Sequence, residues 1–557
     1  MPNLTWTGKD AVVRHHLDVP FRLLKADPKL SCGNPESGNF IVQGDNLVSL
    51  KAILPYYAGA VKCIYIDPPY NTGEQTWTYN DAVNSPEIRD WLGKTVGKEA
   101  EDLCRHDKWL CMMYPRLRLL KDFLRDDGVI FVSIDDAEVR HLRLVMDEIF
   151  GPRNALGTLV WKRRSSSAMR GMPLSVDHEY ILVYAKDAQE VVLHGLGRDV
   201  EDYPFEDSEG QYASTDLTVG MTKQDRPNQF YDLINPRTGK SFPANPGRVW
   251  RFIPETMARV IADNLIIWPD EVDGDLERPR YKTRFNPDKL RPRPVSSWIE
   301  NSNTNDREIE EEETEYDLTI LTSGLNSEGG KLLQQIMGRK IFTYPKPLSL
   351  IRSLLRSTTR GTDIVLDSFA GTGTTAHAAL SLNVEDGGQR RFILNELDAE
   401  ICSTITGERV RRVIEGYEYQ GQKGPRRKVA GLGGAFQFCT LGPEMFTERG
   451  QITEHVSFDD LARHLFFVET GTALAKPKSK CPLMGVHGGT GYYLLFNGVL
   501  GDRRPDGGNV LTGKILDAIP PHNGPKVIYG EGCRLSPSRL QREGILFKQI
   551  PYQIRTR

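Results

Sequence analysis

The chain has 557 residues, 39% hydrophobic, 26% charged and 9% aromatic, and its 71 Lys and Arg nearly balance 74 Asp and Glu for a formal net charge of −3. That length exceeds one domain and buries a sizeable core without staples. The composition is that of a soluble globular protein, no apolar run approaches the ~20 residues of a membrane span, and Met1-Pro2-Asn3-Leu4 lacks the basic and apolar regions of a signal peptide. The eight cysteines (Cys32, Cys63, Cys104, Cys111, Cys402, Cys439, Cys481, Cys533) form no Cys-x-x-Cys pair and no zinc-like cluster, so free thiols in a reducing, cytoplasmic setting are expected. The near-neutral charge leaves a nucleic-acid partner open, which makes local basic clusters the informative feature.

Residues 1–39, interrupted by Pro20, Pro28, Gly33 and Pro35, are expected to form an arm, with His15-His16 on its surface rather than on a metal. Over 40–155 strands and helices alternate. Phe40 to Val42 is a short apolar strand, and Asn46 to Leu54 has helical spacing. Val61 to Ile66 is a buried strand broken by Pro68-Pro69, Trp109 to Arg125 is an amphipathic helix, and Val129 to Val132 is a further strand. This alternation argues for an α/β fold with an open, mostly parallel sheet. It fails over 156–340, where basic clusters with interleaved aromatics stand out: Trp161-Lys162-Arg163-Arg164, and Arg278 to Arg293 with Arg280, Tyr281, Lys282, Arg284 and Phe285. The acidic run Glu308 to Glu315 in the same segment is expected to be a solvated face. Alternation resumes over 341–434, through Ile364 to Leu366, Ala376 to Leu382 and Phe392 to Leu394. Residues 435–557 hold short strands such as Tyr492 to Phe496 and are expected to form a smaller α+β docking domain.

Two motifs carry chemistry. Asp67-Pro68-Pro69-Tyr70 follows directly on a strand. The prolines remove two backbone donors and stiffen the turn, so their carbonyls and the Asp67 carboxylate can converge on one point beside the Tyr70 ring. Such a site suits a planar ring with an exocyclic amine. Asp67 and the Pro68 carbonyl accept the amine hydrogens, drawing the nitrogen lone pair out of conjugation, and Tyr70 stacks on the ring. The second motif, Asp367-Ser368-Phe369-Ala370-Gly371-Thr372-Gly373-Thr374-Thr375, sits between a strand and a helix, where glycines let backbone approach a ligand closely. It is not a P-loop, since no Gly-Lys-Ser/Thr follows. Glu396, about 20 residues past Gly373 at a strand end, has the position of an acid that binds ribose hydroxyls.

Together and in this order the motifs resemble the β-group amino methyltransferases that use S-adenosylmethionine. Further segments resemble the Mod subunits of type III restriction–modification systems: Gly44-Asp45-Asn46, Ile66 to Gly73, His106-Asp107-Lys108-Trp109, Phe131 to Asp136, His178-Glu179-Tyr180 and Tyr344-Pro345-Lys346-Pro347. The resemblance covers roughly 5–200 and 340–412. It implies a Rossmann-like methyltransferase with circularly permuted motif order: a catalytic half (40–155), an inserted target-recognition domain (156–340) and a cofactor half (341–434). It implies that Asp67, Pro68, Pro69 and Tyr70 hold and activate a target adenine flipped out of duplex DNA. Asp367, Phe369, Gly371, Gly373 and Thr374 then cradle the cofactor, with Glu396 on the ribose, Asp45 and Asn46 near the adenine moiety, and Lys346, Pro347 and Asp67 bordering the pocket. Lys162, Arg163, Arg164, Arg278, Arg280, Lys282 and Arg284 are the expected DNA contacts.

The resemblance further implies a homodimer that a separate helicase–nuclease subunit can join. The sulfonium of the cofactor already activates the methyl group, so no metal is called for. Cytosine-N4 methylation, a non-catalytic DNA-recognition subunit and methylation of RNA or protein are the competing readings. Ser more often replaces Asp67 in related cytosine enzymes, and the intact Asp67, Gly371 and Gly373 speak against a decayed site.

Overall fold

The computed structural model describes residues 4–34, 37–72, 75–76, 79–80, 94, 105–165, 174–193, 203–244, 247–272, 276–285, 295–301, 321–420, 425–447, 451–472, 474, 481–499 and 502–550. The run Glu308–Glu315, Gly73, Cys104, Arg291 and Arg293 lie outside them. The chain divides into two compact units, one of residues 1–192, 297–301 and 321–557, the other of 193–296 and 302–320.

Among the described residues of the first unit, eleven strands pair in one sheet: β1 (Arg22–Ala26), β2 (Phe40–Gln43), β3 (Val61–Ile66), β4 (Leu124–Ile134), β5 (Ala155–Lys162), β6 (His178–Ala185), β7 (Trp298–Asn301), β8 (Thr322–Ser323), β9 (Ile364–Asp367), β10 (Arg391–Glu396) and β11 (Gln437–Glu444). Their order is β1-β11-β2-β10-β9-β3-β4-β6-β5-β7-β8. From β11 to β4 every pairing is parallel, while β6 is antiparallel to both β4 and β5, and β1 is antiparallel to β11. All six residues of β3 and all four of β9 are buried, as central parallel strands covered on both faces require. The longer helices of this unit include α1 (Asn46–Tyr57), α2 (Arg105–Phe123), α3 (Val139–Phe150), α4 (Asn326–Met337), α5 (Leu348–Thr358), α6 (Thr374–Asp386), α7 (Gly407–Glu415) and α8 (Phe458–Thr470). Leu117, Leu120 and Phe123 of α2 join Leu50 and Leu54 of α1 and the faces of β3 and β4 in one core.

Three expected boundaries shift. The alternation does not stop at 156: β5 and β6 are apolar runs that pair antiparallel and extend the sheet beyond β4. Six of the eight β6 residues are buried, the signature of an interior strand that lacks the two-residue alternation of a half-exposed one. The inserted unit therefore begins near 193. Nor are the first 39 residues a separate arm, since β1 joins the sheet, Val12 and Trp6 enter its core, and His16 is buried instead of lying on the surface. Likewise β11 belongs to the main sheet, and a second sheet follows it, ordered Leu483–His487, Thr490–Leu494, Lys526–Gly530, Ile545–Gln549.

The second unit has a four-stranded antiparallel sheet ordered Ile266–Ile267, Arg280–Arg284, Gly210–Asp216, Phe205–Asp207. Leu217, Trp250, Met257 and Trp268 are among the residues of its core. Among the described residues no helix is long and apolar enough to cross a membrane.

Candidate active site

Strand β3 leads through α2 to β4 on one side, while β9 leads through α6 to β10 on the other, so the winding reverses between β3 and β9. Open α/β sheets bind ligands outside the carboxyl ends of the strands at such a point. Asp67 follows the last residue of β3, Asp367 ends β9, and these two strands are direct neighbours, with Cys63 opposite Val365 and Ile64 opposite Leu366. Two motifs 300 residues apart in sequence thus meet at one crevice.

The turn after β3 is held from behind. The Pro69 carbonyl accepts the Trp109 indole N–H at 2.7 Å. Asn71 adopts a left-handed φ of 60° and donates its amide to the Arg105 carbonyl (3.1 Å) and to Glu138 (2.5 Å). Glu138 is wholly buried and also hydrogen-bonds His106 Nδ1 at 2.6 Å and His141 Nδ1 at 2.7 Å. Histidine and carboxylate ligand atoms within 4.8 Å of one another have the spacing of a metal site. Here, however, the carboxylate serves three hydrogen-bonding neighbours and acts as a strut under the turn.

At the front, Lys346 Nζ lies 2.8 Å from both Asp67 oxygens and 3.6 Å from Glu179 Oε2. Its ammonium also sits 4.9 Å from the centroid of the Tyr70 ring. Tyr70 donates its hydroxyl to Glu179 Oε2 at 3.1 Å, and Arg163 donates to Glu179 Oε1 at 3.2 Å. Burial works against the Lys346 charge, but Asp67 and Glu179 outweigh it and hold the ammonium above its usual range. Burial, with the charges of Asp67 and Glu179, pushes the Tyr70 phenol far up, so it stays protonated. Lys346 is placed by its own backbone: a Cβ on Gly329 of α4 would fall 2.2 Å from the Pro345 carbonyl and 2.8 Å from that of Lys346. Pro347 caps α5 in an extended conformation, so its role in the fold is helix entry.

The loop after β9 is braced internally. Asp367 accepts from the Phe369 N–H (3.0 Å) and the Thr375 hydroxyl (2.6 Å), and burial pushes its carboxyl up to about 7. Glu396 accepts from the Gly371 N–H at 2.8 Å and the Asp398 N–H at 3.1 Å, and burial likewise raises it to about 7. A carboxylate offers about four lone-pair sites, so Glu396 keeps acceptor capacity for further donors. The two glycines differ. Both have positive φ, 48° for Gly371 and 74° for Gly373, but a Cβ on Gly371 meets nothing within 4 Å, whereas one on Gly373 meets Val410 and Thr406 at 3.2 and 3.3 Å. Gly371 borders open space and Gly373 admits α7. Thr374 bonds the buried Arg409 at 2.7 Å, and Phe369 packs against the main core. The Ser368 hydroxyl is buried without a hydrogen-bond partner, so this loop retains a polar atom that a ligand can satisfy.

Asp45 caps α1 through the Leu47 and Val48 N–H groups and pairs with the buried Arg116 at 2.8 Å. Asn46 accepts from Arg116 and donates to the Ser368 carbonyl at 3.2 Å, tying α1 to the loop after β9. Glu179, Arg116, Glu138 and Ser368 were not singled out as site residues by sequence. For Glu179 the sign was present, an acid in the otherwise apolar run of β6; the others depend on long-range packing.

Of the basic residues, Lys162 ends β5 and is exposed, and Arg164 pairs with Asp177 at 3.4 Å. In the second unit Lys282 and Arg284 both pair with Asp207, and Arg280 bonds Ser214 across the sheet. Arg278 is exposed. The basic stripe is therefore largely built into strand pairs.

Residues 61–407 match the family model described as DNA methylase. The chain is 31% identical to the Mod subunit of the type III restriction–modification enzyme StyLTI of Salmonella typhimurium, over 68% of this chain and 55% of that one. It is 30% identical to the EcoP15I Mod subunit of Escherichia coli, over 71% and 64%. Against the type II methyltransferase M.KpnI of Klebsiella pneumoniae the identity is 30% over 65% of this chain and 81% of the relative. The chain thus spans 55–64% of the length of these two Mod relatives.

Proposed function

The chain belongs to the DNA methylase family, and from that premise we propose that it transfers a methyl group from S-adenosylmethionine to the N6 amine of adenine in duplex DNA, as the modification subunit of a type III-like system. The observation that carries this reading is the junction of β3 and β9, where Asp67-Pro68-Pro69-Tyr70 and the glycine loop share one crevice.

The residues present fit the cofactor. Gly371 leaves space beside the backbone, the Ser368 hydroxyl waits for a partner, and Glu396 keeps acceptor capacity for ribose hydroxyls. The chemistry that a bound S-adenosylmethionine supplies is a methyl group already activated on a sulfonium. This chain's own groups do the rest. Asp67 and the Pro68 carbonyl accept the hydrogens of the target amine, which localises its lone pair. Tyr70, kept as a neutral phenol, presents a ring for stacking, and burial excludes water. A duplex adenine reaches this crevice only by leaving the base stack. The second unit, inserted between β6 and β7, is the proposed reader of DNA sequence, and the chain is proposed to act as a homodimer.

The test is direct: incubate the purified chain with labelled S-adenosylmethionine and DNA from a methylation-free host, then analyse the nucleosides by mass. N6-methyladenine is the expected product. N4-methylcytosine would reassign the base, and no methylated nucleoside would overturn the reading.

A further inference from the structure

Lys346 stands where the proposed substrate has to go. Its ammonium is equidistant, at 2.8 Å, from the two Asp67 oxygens, which places it in the fork of the carboxylate. A target amine needs those same acceptor sites. The ammonium also faces the Tyr70 ring at 4.9 Å, the surface on which the base would stack. Both recognition surfaces are covered by one cation. Stripping a buried ammonium of its carboxylate with nothing in exchange is strongly unfavourable. The structure supplies the exchange: Glu179 Oε2 lies 3.6 Å from Nζ, on a side chain 4% exposed, already oriented by Tyr70 and Arg163. An acid in the buried strand β6, with no part in the chemistry described above, thereby acquires a purpose.

Resting on the reading of this crevice as an amine-methylating site, we propose that Lys346 occupies the seat of the target amine on Asp67 in the base-free protein, and that Glu179 is the second anchor onto which the ammonium shifts when a base enters. Between visits the cation keeps Asp67 oriented. On entry, the neutral amine takes over as hydrogen-bond donor to Asp67 while Lys346 moves toward Glu179, so the carboxylate stays hydrogen-bonded and the buried ammonium keeps a carboxylate partner. Glu179 is in this sense a positioning residue that acts through Lys346.

The proposal fixes the sign of an epistatic effect. Glu179→Gln keeps the hydrogen bond to Tyr70 but removes the second anchor, so KM for DNA should rise by about tenfold while cofactor affinity stays unchanged. Adding Lys346→Met removes the competing cation and should return KM to within about threefold of wild type, whatever happens to turnover. A merely structural Glu179 gives the opposite: two losses that add. The substrate is a duplex carrying the motif found methylated in DNA treated with the wild-type protein, with the target base placed opposite an abasic site. Calorimetry with S-adenosylmethionine checks that each variant is folded. Should Glu179→Gln fail to fold, Lys346→Met alone decides, because it should bind this duplex more tightly than wild type. A double variant no better than Glu179→Gln, or a Lys346→Met protein with unchanged or weaker duplex binding, overturns the proposal while leaving the methyltransferase reading intact. A wild-type protein that methylates no DNA overturns both.

Discussion

Asp67 and Glu396 show how one side-chain type takes two roles through its surroundings. Asp67 is partly exposed and held by an ammonium, ready to receive a donor from outside. Replacing it with Ala should abolish methyl transfer while S-adenosylmethionine binding, measured by calorimetry, stays within about tenfold, because the lost acceptor serves the target amine and, in the base-free protein, Lys346. Glu396 is buried, and its carboxyl is raised from 4.5 to about 7. A carboxyl raised on folding makes the folded state the better proton binder between the two values. Its contribution to stability is full below about pH 4.5 and declines as pH rises toward 7. Glu396→Gln lacks this titration, so the stability of the wild type relative to the variant should fall between pH 5 and 7.5, by on the order of 3 kcal/mol. Urea denaturation at stepped pH measures this, and a relative stability that rises with pH would contradict it.

At the scale of elements, the glycines distinguish ligand space from packing space. Gly371→Ala should leave the fold standing at a cost of about 1–2 kcal/mol for its left-handed backbone, yet weaken S-adenosylmethionine binding at least about tenfold, since the added methyl enters the open side of the loop. Gly373→Val should lose melting temperature first, because its side chain meets Thr406 and Val410. Gly329→Ala reverses the usual benefit of removing a helical glycine: the new methyl strikes the Pro345 and Lys346 carbonyls, so a loss of about 1–3 kcal/mol and reduced turnover are expected. The positions of these loops were legible in the sequence because each follows an apolar run, Val61 to Ile66 or Ile364 to Leu366, and ends it with Pro or Gly. What distinguishes Gly371 from Gly373 was not legible, because it depends on α7, more than thirty residues farther along. The strand β6 was missed for a related reason. Its run Ile181 to Ala185 is buried throughout and shows no alternation to separate it from irregular core.

For the whole molecule, the smaller unit is the proposed reader of DNA sequence, and its Arg280, Lys282 and Arg284 are engaged with their own sheet. With a net charge of −3, the proposed homodimer is the source of added DNA affinity on this reading. A homodimer doubles the surface available to one duplex without adding charge to either chain. Light scattering should give a mass near twice 62.8 kDa. A monomer with full methylation activity at nanomolar concentration would refute the dimer.

The strand β2 lies between β10 and β11, so its pairing partners are residues 393–396 and 437–440. Both edges of Phe40–Gln43 therefore remain open while most of the chain is still being made. At ~5–20 residues per second, the ~400 residues that separate β2 from the end of β11 take roughly 20–80 s to synthesise. During that interval β2 presents unpaired apolar edges, and β3 presents one until β9 is made, of the kind that recruit other strands. Nascent chains that stop before residue 391 should collect on chaperones or in aggregates, and refolding from denaturant should be slow and should improve as protein concentration is lowered. The arrangement that brings the two halves of the crevice together thus makes synthesis beyond residue 440 a condition for the first strands to become safe.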